Sequence, residues 1–152
     1  MQKPRIYIVI FLLAYTGFSS ADEECLKRAF TQMEMNRCAG LSFEVADKEL
    51  NRVFNEVKAL YSDNPKFLQN LKTSQLAWIK LRDADLELYY PEENKRVQYG
   101  SAYPMCASSR KTEITIQRIE FLKQWVKGLE EGDLCSGSIK NSWHLKKQNV
   151  TN

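Results

Sequence analysis

Three stretches of the chain repeat apolar side chains at the spacing of one helical face. In the first, Ala46, Leu50, Val53, Val57 and Leu60 are spaced alternately by four and three residues, with Phe43 and Phe54 widening the face. Ahead of this row, Thr31-Gln32-Met33-Glu34 has the form of a capping box. There a Thr and a Glu three residues later each satisfy a free backbone N–H of the first turn. The pattern predicts a helix from Thr31 to about Tyr61. Gly40 sits inside it at some cost in propensity, and Asp63-Asn64-Pro65 ends it, since proline disfavours helix at the residue before it.

The second row is Leu68, Leu71, Gln75, Trp78, Arg82 and Asp85, apolar at its start and polar at its end. It predicts a helix from Pro65, a favoured first position, to about Tyr90, closed by Pro91. The third row, Thr115, Arg118, Leu122, Trp125 and Leu129, is flanked by Ile114 and Phe121. It predicts a helix from about Lys111 to Glu131, with Gly132 as its stop. Glu23 to Phe30 is long enough for two further turns, which need a tether to persist in water. Between Pro91 and Arg110 no helical period is visible, and Gly100, Ser101 and Pro104 suggest an irregular connection. Ser136 to Asn152 is polar and reads as a loose tail. The fold class expected is all-α: a small antiparallel helical bundle of three long helices plus a short N-terminal helix.

The first 21 residues change the picture. Lys3 and Arg5 precede the apolar run from Ile6 to Phe18, and Ser19-Ser20-Ala21 follows, the three-part pattern of a secretory signal peptide. The run is shorter than the roughly 20 residues a membrane-spanning helix needs, and no stable membrane anchor is expected after cleavage. Cys25 follows Asp22-Glu23-Glu24, which is not a lipoprotein cleavage site. The expected organisation is a signal peptide at 1–21, a helical domain at 22–135 and a polar tail at 136–152. The chain carries 22 basic and 19 acidic residues; the leader holds two of the basic and none of the acidic ones, so the remainder is nearly neutral. That removes any bulk attraction to nucleic acid. All four cysteines, Cys25, Cys38, Cys106 and Cys135, lie beyond the leader. An even number in an exported chain reads as two disulfides, with three pairings open. No two cysteines sit at metal-ligand spacing and the single histidine, His144, lies in the tail, so neither a metal nor another cofactor is expected.

Catalytic chemistry finds no constellation. Nucleophilic catalysis needs a base beside the nucleophile, and His144 is poorly placed for that. Glu92-Glu93 and Glu130-Glu131 read as solvated faces, and no enzymatic activity is expected. Arg82 continues a core-facing row and is expected to brace the bundle against a carboxylate such as Asp47 or Glu34. Gln75 is expected to bond to neighbouring helix ends, and Trp78 and Trp125 to sit in the core.

Several of these pieces together resemble a known family. They are Cys25, Thr31-Gln-Met-Glu-Met-Asn36, Cys38-Ala39, Ala46-Asp47 with Leu50-Asn51, Gln75-x-Ala77-Trp78 with Arg82-Asp83-Ala84, Gly100-Ser101, Pro104-Met105 and Thr115-x-x-Arg118. In this order they resemble the LprI-like exported bacterial domains, named for a lysozyme inhibitor, over about Cys25 to Leu129. The family pattern has two further cysteines at the positions occupied here by Leu86 and Arg110. The resemblance therefore implies the bridge Cys25–Cys38 and leaves Cys106 and Cys135 as a substitute bridge. It gives Thr31, Glu34, Gln75, Trp78 and Arg82 an architectural role. It also implies an exported, periplasmic or secreted protein that binds a protein partner, lysozyme being the named one. The alternatives are an interaction module with another partner and, more distantly, a cell-envelope enzyme. Recognition in helical bundles usually falls to connections. The expected binding residues are Lys95, Arg96, Tyr99 and Tyr103, cations flanked by tyrosines that suit a cleft with two carboxylates.

Overall fold

The computed structural model describes residues 19–130 and 132–145, with side chains from residue 24 onward. Most of the expected leader, residues 1–18, and the last part of the expected tail, residues 146–152, lie outside the described residues. Five helices follow one another: α1 (Ser19–Arg28), α2 (Gln32–Leu60), α3 (Pro65–Tyr89), α4 (Lys95–Tyr99) and α5 (Tyr103–Lys127). The fold is all-α, with three long helices packed together. Among the described residues no helix is long and apolar enough to cross a membrane.

The ends of α2 are as the sequence dictates. The Thr31 side chain accepts from the Glu34 N–H and the Glu34 carboxylate accepts from the Thr31 N–H, completing the capping box. Asn64 caps α3 by accepting from the Phe67 N–H. Ala46, Leu50, Val53 and Val57 are buried along α2. They form, with Tyr61, Leu71, Ile119 and Leu122, one core closed by Phe67, Trp78 and Trp125.

The directions of the helices follow from their contacts. Near the start of α2, Gln32 reaches the Met105 sulfur at 3.8 Å and Asn36 donates to the Ser101 carbonyl at 3.0 Å. Further on, the Lys111 ammonium lies over the Phe43 ring, and Val57 and Leu122 share the core. Thus α2 and α5 run parallel, and they form the most extensive helix pair in the fold. The long helix α3 returns alongside them, antiparallel to both: Phe67 meets Trp125, Arg118 meets Gln75, and Tyr90 meets Tyr103. The first half of the α2–α5 pair is made of small buried side chains, Ala39, Ser42 and Ala46 on one helix and Ala107, Thr112 and Thr115 on the other. Small side chains let helix axes approach closely. The Ser42 and Thr112 hydroxyls bond the carbonyls one turn back, which makes their burial tolerable.

Three expectations need correction. First, the connection after Pro91 is largely helical: α4 occupies its middle and α5 begins at Tyr103, eight residues earlier than Lys111. Pro104 stands in the first turn of α5, where its missing N–H costs nothing. Second, only one disulfide forms, Cys25–Cys38, which ties α1 to the buried face of α2. Cys106 and Cys135 are exposed and unpaired. Cys106 lies in the first turn of α5 and Cys135 lies beyond its far end. Twenty-odd helical residues at 1.5 Å each put them roughly 30 Å apart, whereas a disulfide needs Cα atoms within about 7 Å. Third, α5 stops at Gly128 (φ 72°), ahead of Gly132, and the chain beyond it turns back onto the bundle. Leu129 pairs with Lys140 and Ser142 through backbone hydrogen bonds. The Lys140 ammonium bonds the Leu60 carbonyl and Asp63, and Leu145 is buried. The segment read as loose is anchored as far as Leu145.

Candidate functional site

The α3–α4–α5 end of the bundle holds every binding residue expected from sequence, and it is built as a braced platform. Helix α3 leaves unsatisfied carbonyls at its C-terminus. The Lys95 ammonium takes up this end, donating to the Tyr90 carbonyl (2.6 Å), the Glu92 carbonyl (3.2 Å) and the Glu87 carboxylate (2.7 Å). The hydrogen bond to Glu87 raises the Lys95 pKa above the usual lysine range. Asn94 caps α4 by accepting from Val97, and Gly100 closes it with φ 71°, a conformation that favours glycine.

Beneath α4 lies a cluster of tyrosines. Tyr90 packs edge-on against Tyr99 (5.1 Å between centroids) and Tyr103 (5.0 Å), while Tyr99 stacks on Tyr103 at 6.1 Å. Burial pushes the Tyr90 phenol above its usual range. Tyr89 lies beside Tyr90 and receives the Arg110 guanidinium over its ring at 4.6 Å.

The four expected binding residues therefore divide. Tyr99 and Tyr103 are half-buried and hold α4 in place. Lys95 has its charge engaged. Arg96 alone of the four presents a charge outward: it is exposed, and no acceptor or carboxylate meets its guanidinium among the described residues. The same end of the bundle exposes Leu88 and Val97, each by nearly four-fifths, and half of Tyr89. Tyr89 and Tyr90 were not legible as part of the site, because they close the α3 row and read as helix surface.

The residues given an architectural role lie elsewhere. Thr31 and Glu34 form the cap of α2. Arg82 finds neither Asp47 nor Glu34. Its guanidinium lies over Trp78 (5.3 Å) and Phe43 (5.8 Å), linking α3 to α2, and its carboxylate partner is the adjacent Asp83. Gln75 accepts from Arg118 Nε at 3.0 Å, so its partner is a side chain of the facing helix. Among the described residues no group of His, Cys, Asp or Glu could hold a metal ion.

Comparison with known proteins bears on this architecture. Residues 25–122 match the profile of the family described as lysozyme inhibitor LprI. A protein of Rhizobium meliloti (strain 1021), described as uncharacterised, is 29% identical over 138 residues, covering 84% of this chain and 96% of its own. No solved structure matches. The matched residues include the Cys25–Cys38 bridge, the capping box, α3, the α4 platform and the buried length of α5, and the chain belongs to the LprI lysozyme-inhibitor family.

Proposed function

We propose that this protein works outside the cytoplasm, where it binds a lysozyme and blocks its cleft with the α3–α4–α5 end of the bundle. Family membership over residues 25–122 is the observation that supports the activity. A disulfide supports the compartment, since such bonds persist where the surroundings oxidise. The geometry supports the surface. Lysozyme cleaves glycans with two carboxylates in an open cleft. An unpaired cation on a pre-organised support, at an end of the bundle that also exposes apolar side chains, offsets that charge with little ordering cost on binding. In this reading Arg96 enters the cleft, Val97, Leu88 and Tyr89 cover its rim, and Lys95, Tyr99 and Tyr103 hold Arg96 in place.

The test is inhibition of lysozymes of several types in a peptidoglycan-clearing assay. Wild-type protein is expected to inhibit at least one of them. Arg96→Glu is expected to weaken that inhibition at least tenfold, the worth of about 1.4 kcal/mol, with an unchanged melting point. Unchanged inhibition by Arg96→Glu removes α4 from the interface. No inhibition by wild type leaves the chain as an interaction module for another partner.

A further inference from the structure

At the opposite end of the bundle from α4, a cleft of about 370 Å³ opens between residues of α3 and α5. That is within the range of small-ligand sites. Its floor is Arg118, whose residue is only 8% exposed. The guanidinium donates through Nε to Gln75 (3.0 Å) and through Nη2 to the Ser74 hydroxyl (3.0 Å), while Nη1 has no acceptor among the described residues. No carboxylate lies within salt-bridge distance of it among those residues. Beyond Gln75 and Ser74, the described residues meet its charge with the rings of Phe121 (5.0 Å) and Trp78 (5.8 Å). Burying a cation without a counter-ion is costly, and burial alone lowers the Arg118 pKa.

The rest of the lining is selective in composition. Lys66 stands at the rim, and among the described residues it forms no ion pair and no acidic residue lines the cleft. Phe67, Phe121 and Trp125 form the walls, with Phe121 edge-on to Trp125 at 5.2 Å and Phe67 tilted against it at 6.3 Å. The Trp125 indole N–H is already spent on Ser138 (3.1 Å), so its ring is held as a surface.

We propose that this cleft binds a carboxylate carried on an apolar or aromatic body, Arg118 and Lys66 receiving the carboxylate and Phe67, Phe121 and Trp125 enclosing the body. A planar carboxylate matches the unspent edge of a guanidinium. A phosphate asks for more donors than one buried guanidinium supplies and brings nothing for three aromatic walls. The ligand has two chemical sources, a free organic acid or the carboxyl terminus of a peptide ending in an apolar residue. This site lies apart from α4, and the inference does not depend on lysozyme inhibition.

The experiment titrates the ¹⁵N-labelled full-length protein by NMR, following the Trp125 indole N–H assigned by Trp→Phe substitution at each tryptophan. The probes are 3-phenylpropionate, acetyl-glycyl-phenylalanine and inorganic phosphate, with the carboxamide of each organic acid as control. Saturable shifts are expected at Trp125 with one or both acids, and at least tenfold weaker binding of their amides. Response to both acids shows that a free acid suffices, and response to the peptide alone identifies a chain terminus. Lys66→Glu lies at the exposed rim and leaves the core intact, and it is expected to weaken binding about tenfold, as is Arg118→Lys. The proposal is overturned if acid and amide titrate alike, if phosphate competes as well as the organic acids, if Lys66→Glu binds like wild type, or if Trp125 does not move at millimolar ligand.

Discussion

Glu34 couples the start of the main helix to pH. The backbone N–H groups of Phe30 and Thr31 hold its carboxyl below the usual range, because they bond to the ionised form. A carboxylate with a depressed folded pKa stabilises the protein above its unfolded value, near 4.5, and that contribution fades as pH falls through the folded value. Glu34→Gln keeps an acceptor at the same position but removes the titration. Denaturant unfolding across this acid range should therefore show a flatter pH dependence for the variant than for wild type. Arg82 acts by a different route. Its side chain is 12% exposed and lies between two aromatic rings of different helices, whereas its ion pair with exposed Asp83 contributes little. Arg82→Ala should cost about 1–2 kcal/mol, read as a lower melting point, with lysozyme inhibition unaltered wherever the variant is folded. Sequence reasoning missed the partners of Arg82, since an i, i+1 carboxylate and a ring on another helix leave no periodic signal.

Among the helices, legibility tracked side-chain size. The caps and the large apolar rows gave α2 and α3 to within a residue or two at each end. The first two turns of α5 escaped because their one fully buried position is Ala107, which packs closely yet carries no hydrophobic period, and because Pro104 at their start reads as a break. Even a helix beginning at Lys111 stands between Cys106 and Cys135, so its length alone argued against joining them. For the proposed site, the sequence pointed to the connection but could not tell which of Lys95 and Arg96 is engaged by its neighbours. Arg118 read as one more step in a row, and only the facing helix shows that its charge is uncompensated. Gly128 carries the return of the chain. A Cβ there would meet Lys140 O and the backbone of Ser142 at 2.8 Å, in a left-handed conformation. Gly128→Ala should cost at least about 1–2 kcal/mol and free the segment from 136 to 145. Limited proteolysis should then trim that segment several-fold faster than in wild type.

Across the molecule, the parallel pairing of α2 with α5 sets the order in which the chain can mature. The buried row of α2 finds its main partner more than 50 residues later, and α3 alone covers little of it, burying only Leu71 and Leu86. A fragment ending at Gly100 should be mostly unfolded by far-ultraviolet circular dichroism, regaining helix only when a peptide spanning α5 is added. Contacts so distant in sequence slow the search for the native state. During synthesis, therefore, two-thirds of the chain is made before anything can hold it. If the chain is exported as proposed above, threading a translocation channel as an extended strand, that delay is useful: the polypeptide cannot lock into its final shape until α5 has emerged.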